Sequence, residues 1–229
     1  MSPHPNAPIH AAIIDLDGTL VDTVGDFEAA LALTLADLGW PAVGREFISR
    51  TVGKGSEYLL LRSLAEVVRQ VAPATLYEAA WAHYQRHYLA VNGSRSEVYP
   101  GVLEGLRALQ AAGLPLACLT NKPTAFARPL LAAKGLDGFF GQVFGGDAFA
   151  RKKPDPLPLL ETCKALGSAP ARTLMVGDSS NDAQAARAAG CPVVLVSYGY
   201  NHGQPVAQAG PDAVIERLDA LPAWLAQRA

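Results

Sequence analysis

Ile9 to Ile14 is a short apolar run, rich in β-branched residues, that stops at a polar turn containing glycine. Such a run predicts a strand buried on both faces, with Asp15 at its C-terminal end. Similar runs recur at Leu116–Thr120, Thr173–Val176 and Val193–Ser197, separated by helix-length patterned segments. That alternation predicts an α/β fold built on a doubly wound parallel sheet.

The pattern changes between Val24 and Arg95. Phe27, Ala30, Leu31 and Leu35 have helical spacing and Gly39 is placed to stop the helix, while further helices are expected at Gly44–Arg50, Ser56–Gln70 and Ala74–Val91. No buried strand is evident there, so an all-helical unit, residues 23–97, is inserted after the first strand. The discontinuous remainder, 1–22 and 98–229, forms the sheet-containing core. The chain re-enters it near Tyr99-Pro100-Gly101, ahead of a helix over Val102–Ala112 that Gly113 terminates.

Composition adds bounds. Half of the 229 residues are hydrophobic, enough for a substantial core, and the net charge of −2 gives no general reason to expect nucleic acid or an anionic membrane as partner. The opening Met-Ser-Pro-His-Pro-Asn-Ala-Pro lacks the basic start and apolar segment of a secretory signal, and no run approaches membrane-spanning length. A cytoplasmic protein is expected, with its oligomeric state, monomer or homodimer, left open. Cys118, Cys163 and Cys191 are scattered, without metal-binding spacing, and are expected in the core.

In an open parallel sheet, ligands bind at the carboxyl ends of the strands. The first strand is followed by Asp15-Leu16-Asp17-Gly18-Thr19, the second by Thr120-Asn121-Lys122, and the Thr173–Val176 strand by Gly177-Asp178-Ser179-Ser180-Asn181-Asp182. Lys153 lies on the connection between the latter two. Carboxylates two residues apart at a strand end can divide phosphoryl transfer between a nucleophile, Asp15, and a general acid/base, Asp17. Asp15, Asp178 and the backbone carbonyl of Asp17 suit the oxygen preference of Mg²⁺, with Asp182 holding a coordinated water. Thr120 and Asn121 supply donors to phosphoryl oxygens, Lys153 supplies positive charge, and Gly18, with Thr19 beside it, brings backbone close to the anion. Taken singly, each residue also reads as a cap, an ordinary loop or an exposed lysine; their order along the chain is what argues for a site.

Asp15-Leu16-Asp17-Gly18-Thr19-Leu20-Val21-Asp22-Thr23, Thr120-Asn121, Lys153-Pro154 and Gly177 to Asp182 together resemble the four signatures of the haloacid dehalogenase superfamily. The resemblance spans the chain and implies a Rossmann-like core, an aspartyl-phosphate intermediate, Mg²⁺, and a mobile helical cap at the insertion. Thr51-Val52-Gly53-Lys54-Gly55 and Ser197-Tyr198-Gly199-Tyr200-Asn201-His202-Gly203 are similar to the bacterial phosphoglycolate phosphatase branch, which implies a small phosphorylated metabolite, 2-phosphoglycolate, as substrate. Arg50 and Lys54 are the cap residues expected to meet its carboxylate.

Other readings stay open on the residues alone. A sugar-phosphate phosphatase or a β-phosphoglucomutase-like enzyme shares the nucleophile, acid/base, metal and cap. A phosphonoacetaldehyde hydrolase would use Lys54 as a Schiff base, and a dehalogenase would not need Asp17, Asp178 and Asp182 together. From another class, a receiver-type phosphoacceptor domain also sets acidic residues, Thr and Lys around an aspartate, but lacks the large helical insertion and Asp17.

Overall fold

The computed structural model describes residues 8–69 and 73–227. Gln70, the last residue of one expected helix, and the opening residues 1–7 lie outside them.

A six-stranded sheet forms the centre, with every neighbouring pair parallel. Its strands are β1 (Ala11–Ile14), β4 (Leu116–Leu119), β5 (Gln142–Phe144), β6 (Thr173–Gly177), β7 (Val193–Val196) and β8 (Ala213–Ile215), in spatial order β5-β4-β1-β6-β7-β8. Counted among themselves they run 3-2-1-4-5-6, the Rossmann order with its reversal beside β1. All residues of β1, β4, β6 and β7 are buried, so these strands write continuous apolar runs into the sequence.

Alternate strand residues feed two separate cores. Ala12, Ile14, Cys118, Leu174, Val176 and Val194 face one side, packed with α5 (Val102–Ala111), α6 (Thr124–Ala133) and α9 (Leu221–Ala226). Ile13, Leu119, Met175, Val193 and Leu195 face the other, against α7 (Leu157–Ala165) and α8 (Ser180–Ala189). The three cysteines are buried thiols, as expected, and Cys163 and Cys191 bring their Sγ atoms within 3.9 Å.

Between β1 and α5 the chain forms α1 (Val24–Asp37), α2 (Arg45–Thr51), α3 (Ser56–Val68) and α4 (Ala74–Val91). They bury a third core around Phe27, Leu31, Ile48, Leu60, Tyr84 and Tyr88, which Phe126 of α6 joins. Helix α1 turns Phe27, Ala30, Leu31, Thr34 and Leu35 inward, one stripe at helical spacing, and ends where Trp40 N–H donates back to the Leu35 carbonyl at 2.8 Å. The chain leaves and re-enters the sheet side by side through an antiparallel ribbon, β2 (Val21–Asp22) against β3 (Glu97–Val98). Next to it, the buried Asp26 carboxylate accepts from Gly93 N–H at 2.8 Å and Arg95 N–H at 2.7 Å, tying the start of α1 to the return path.

Candidate active site

Three adjacent strands, β4, β1 and β6, end on the same edge of the sheet and deliver Thr120, Asp15 and Asp178 there, all buried. Asp15 N–H donates to the Val176 carbonyl at 2.9 Å, and Asp15 Oδ1 accepts from Leu16 N–H at 2.7 Å. Carboxylate oxygens of Asp15, Asp178 and Asp182 lie within 4.8 Å of one another. Burial pushes Asp15 up to about 7, against the opposing pull of Lys153 and with help from Asp182 and Asp17. Asp178 is likewise driven well above the usual carboxylate range, by burial first and then by Asp182 and Asp15. A buried, all-oxygen cluster whose members resist shared negative charge fits a hard divalent cation.

One cation is already built in. Lys153 Nζ sits 3.0 Å from Asp15 Oδ1 and 2.7 Å from Asp182 Oδ1, and donates to the Leu119 carbonyl at 2.9 Å. Burial alone would lower its affinity for a proton; the two carboxylates outweigh that and raise it, so the lysine stays charged. Asp182 closes a capping box at the start of α8, its Oδ2 accepting from Ser179 N–H at 3.2 Å and Ser179 Oγ at 2.9 Å. Both its oxygens are thus held within the protein.

Asp17 turns away from this cluster. Its Oδ1 accepts from Lys122 Nζ at 2.9 Å, and that ammonium also lies 4.3 Å and 4.7 Å from the ring centroids of Phe27 and Tyr88. Gly18 adopts φ +81°, where a Cβ would run into the Asp178 carboxylate and the Tyr200 ring, so only glycine lets the loop pass. Thr19 is fully buried, and its carbonyl accepts from Tyr198 Oη at 2.8 Å. Tyr200 closes the other side, donating its N–H to Asp178 Oδ2 at 2.7 Å and its hydroxyl to Asp22 Oδ1 at 2.8 Å.

Asn121 is engaged by protein partners through both ends of its amide. Its Nδ2 donates to the carbonyls of Lys153 at 2.8 Å and Gly53 at 2.9 Å, while Oδ1 accepts from Lys153 N–H at 2.9 Å. The side chain therefore fixes the lysine and reaches the helical insertion. Gly53 also accepts from Asn181 Nδ2 at 3.2 Å, and Lys152 Nζ pairs with Glu57 Oε2 at 2.7 Å, so the insertion is seated on the sheet edge. Between them Asp15, Asp17, Thr120 and Lys122 face Phe27, Val52, Gly53, Ser56 and Leu59 across a cleft of about 10 Å³.

Arg50 and Lys54 do not line that cleft. The loop presents Val52, Gly53 and Gly55 inward, at φ +108° for Gly53 and +95° for Gly55, and turns Lys54 outward over the Tyr58 ring. Arg50 pairs with Glu46 at 2.6 Å on the exposed face of α2. Lys122, Ser56 and Tyr200 also stand near the site, though no role in it was assigned to them from sequence; Lys122 follows Thr120-Asn121 directly, the one signal that pointed to it.

Fold and site together define a Rossmann-like α/β hydrolase with an acidic centre at the carboxyl ends of its strands. The chain belongs to the haloacid dehalogenase-like hydrolases, whose family profile matches residues 9–190. It is 46% identical over 211 residues to the phosphoglycolate phosphatase of Thiobacillus denitrificans, covering 92% of this chain and 93% of that one. A plasmid-borne phosphoglycolate phosphatase of Cupriavidus necator is 45% identical over 218 residues, 95% and 94% of the two chains. The crystal structure of a predicted phosphoglycolate phosphatase from Haemophilus somnus superposes with a TM-score of 0.90 at 32% identity, over 94% of this chain and 97% of that one. Among the described residues, no helix is long and apolar enough to cross a membrane.

Proposed function

We propose that the protein is a cytoplasmic, Mg²⁺-dependent phosphomonoesterase that hydrolyses 2-phosphoglycolate to glycolate and phosphate through an aspartyl-phosphate on Asp15. The core comprises 1–22 and 98–229, and 23–97 is a cap that opens to admit substrate. The observation that carries the reading is the placement of Asp15 beside Lys153, Asp178 and Asp182, with Asp17 held separately by Lys122.

Asp15 attacks phosphorus in line, and the bond to the leaving oxygen breaks as Asp17 delivers a proton to it. Lys122 engages Oδ1 of Asp17, which leaves Oδ2 for that proton. Thr120 Oγ1 accepts from Lys122 N–H at 3.2 Å, so its own hydroxyl hydrogen is free to donate to a phosphoryl oxygen. Water then attacks the aspartyl-phosphate, Asp17 takes its proton, and phosphate leaves with Asp15 restored. Lys153 offsets negative charge throughout, held in place by Asn121 and Asp182. Mg²⁺, bound by Asp15, Asp178 and the Asp17 carbonyl and near Asp182, would supply charge neutralisation of the transferring group.

A cleft with room for about one water molecule requires the cap to open before any phosphate ester enters, and Val52, Ser56 and Leu59 wall its other side. The relatives' names favour 2-phosphoglycolate as that ester. A phosphate-release screen across 2-phosphoglycolate, sugar phosphates, nucleotides and phosphonoacetaldehyde tests the assignment: 2-phosphoglycolate should give the highest kcat/KM. A sugar phosphate turned over more efficiently would replace it.

A further inference from the structure

Far from the sheet edge, on the outer surface of the cap, α1 and α4 run antiparallel and place three metal-ligating side chains together. His83 and His87 stand four residues apart on α4, one turn above the other on the same face. Asp37, the last residue of α1, faces them: its Oδ2 is 2.7 Å from His83 Nδ1 and 2.7 Å from His87 Nε2. The three ligand atoms lie within 4.8 Å of one another, and the two rings are nearly parallel, with 20° between their planes.

Three nitrogens converge on a single oxygen, Asp37 Oδ2. Arg86 Nη2 lies 2.9 Å from Asp37 Oδ2 and also 2.9 Å from His83 Nδ1. If Nδ1 carries a hydrogen for Asp37, that one oxygen accepts from His83, His87 and Arg86 at once; if it does not, its lone pair meets the carboxylate. A cation at the centre, with Arg86 moved aside, relieves this crowding because the imidazole and carboxylate lone pairs then point at one positive charge.

We propose that Asp37, His83 and His87 form a binding site for a borderline transition-metal cation of the Zn²⁺ class, which clamps the far ends of α1 and α4 together. Two imidazoles and one carboxylate suit Zn²⁺ and disfavour Mg²⁺, so this site is chemically distinct from the all-carboxylate centre at Asp15. Zn²⁺ bond lengths separate tetrahedral ligand atoms by about 3.3 Å, so the present contacts need to part by less than about 1 Å. Water completes the shell on the solvent side. Arg86 is 63% exposed at its side chain and swings outward as the metal enters.

The test is equilibrium binding of Zn²⁺ to the full chain in excess Mg²⁺, which keeps the catalytic carboxylates occupied, with thermal denaturation in parallel. Wild type should hold one Zn²⁺ per chain and melt at higher temperature with it. The double variant His83→Gln/His87→Gln should bind at least about tenfold more weakly and lose the thermal shift. Arg86→Gln, which removes the competing cation and leaves all three ligands, should bind more tightly. Wild type that retains no Zn²⁺, affinity unchanged in the double variant, or weaker binding in Arg86→Gln overturns the site.

Discussion

Lys122 Nζ lies 2.9 Å from Asp17 Oδ1, and its side chain has no solvent exposure. A buried ammonium and a buried carboxylate stabilise each other chiefly by cancelling what either would cost alone. Lys122→Met should therefore destabilise the fold by about 3 kcal/mol, while Lys122→Met/Asp17→Asn should recover part of that loss. Urea denaturation of the two single variants and the double variant gives the coupling; additive losses would mean that the pair is not a unit.

Replacing Asp15 with asparagine should abolish turnover without unfolding the protein, because in the proposed mechanism the carboxylate is the attacking group. It should also change how metal-free stability depends on pH. Burial raises Asp15 from 3.8 to about 7, so its neutral form contributes stability that is complete below the ordinary value and lost as pH rises through about 7. In chelator, the wild type should accordingly lose stability relative to Asp15→Asn between about pH 4 and pH 8. A difference that is flat or moves the other way would contradict the raised carboxyl.

Chelation should stop activity and Mg²⁺ restore it. Asp178→Ala removes an oxygen from the proposed metal site and should raise the Mg²⁺ concentration needed for half-maximal rate by about tenfold or more. Undiminished turnover by protein shown to be metal-free would eliminate the metal role.

Asp26 makes no contact with the cleft, yet its carboxylate holds two backbone N–H groups beside the β2–β3 ribbon. Asp26→Ala strands both donors and should cost about 2 to 3 kcal/mol, read as a lower urea midpoint. A shift below about 0.5 kcal/mol would remove its role as a tie between α1 and the return path.

The central strands were legible because burial on both faces leaves unbroken apolar runs, and α4 because its limits coincide with clear pattern changes. β5 and β8 are three-residue edge strands with exposed positions, and β2 and β3 have two residues each, too few to show an alternation. Asp15, Thr120 and Asp178 could be placed since each directly follows or ends a strand. The role of Lys122 could not, because its partner is 105 residues away and the rings beneath it come from two cap helices. The direction of Lys54 is not legible either: it stands between two glycines, which permit either direction, and backbone dihedrals that sequence does not reveal send the side chain outward.

Gly53 offers a single carbonyl to both Asn121 and Asn181, and Lys152 adds one ion pair to Glu57. Each such hydrogen bond is worth about 0.5 to 1.5 kcal/mol net, and the ion pair, partly exposed, about 1 at most. If the insertion opens as proposed, these are polar contacts it would have to break, and together they oppose opening by only a few kcal/mol. The same Asn121 amide that grips Gly53 also holds the Lys153 backbone, so opening would remove one restraint from the segment that carries the cation beside Asp15. On the proposed mechanism, closure over the cleft and the placement of that charge are thus linked through a single side chain.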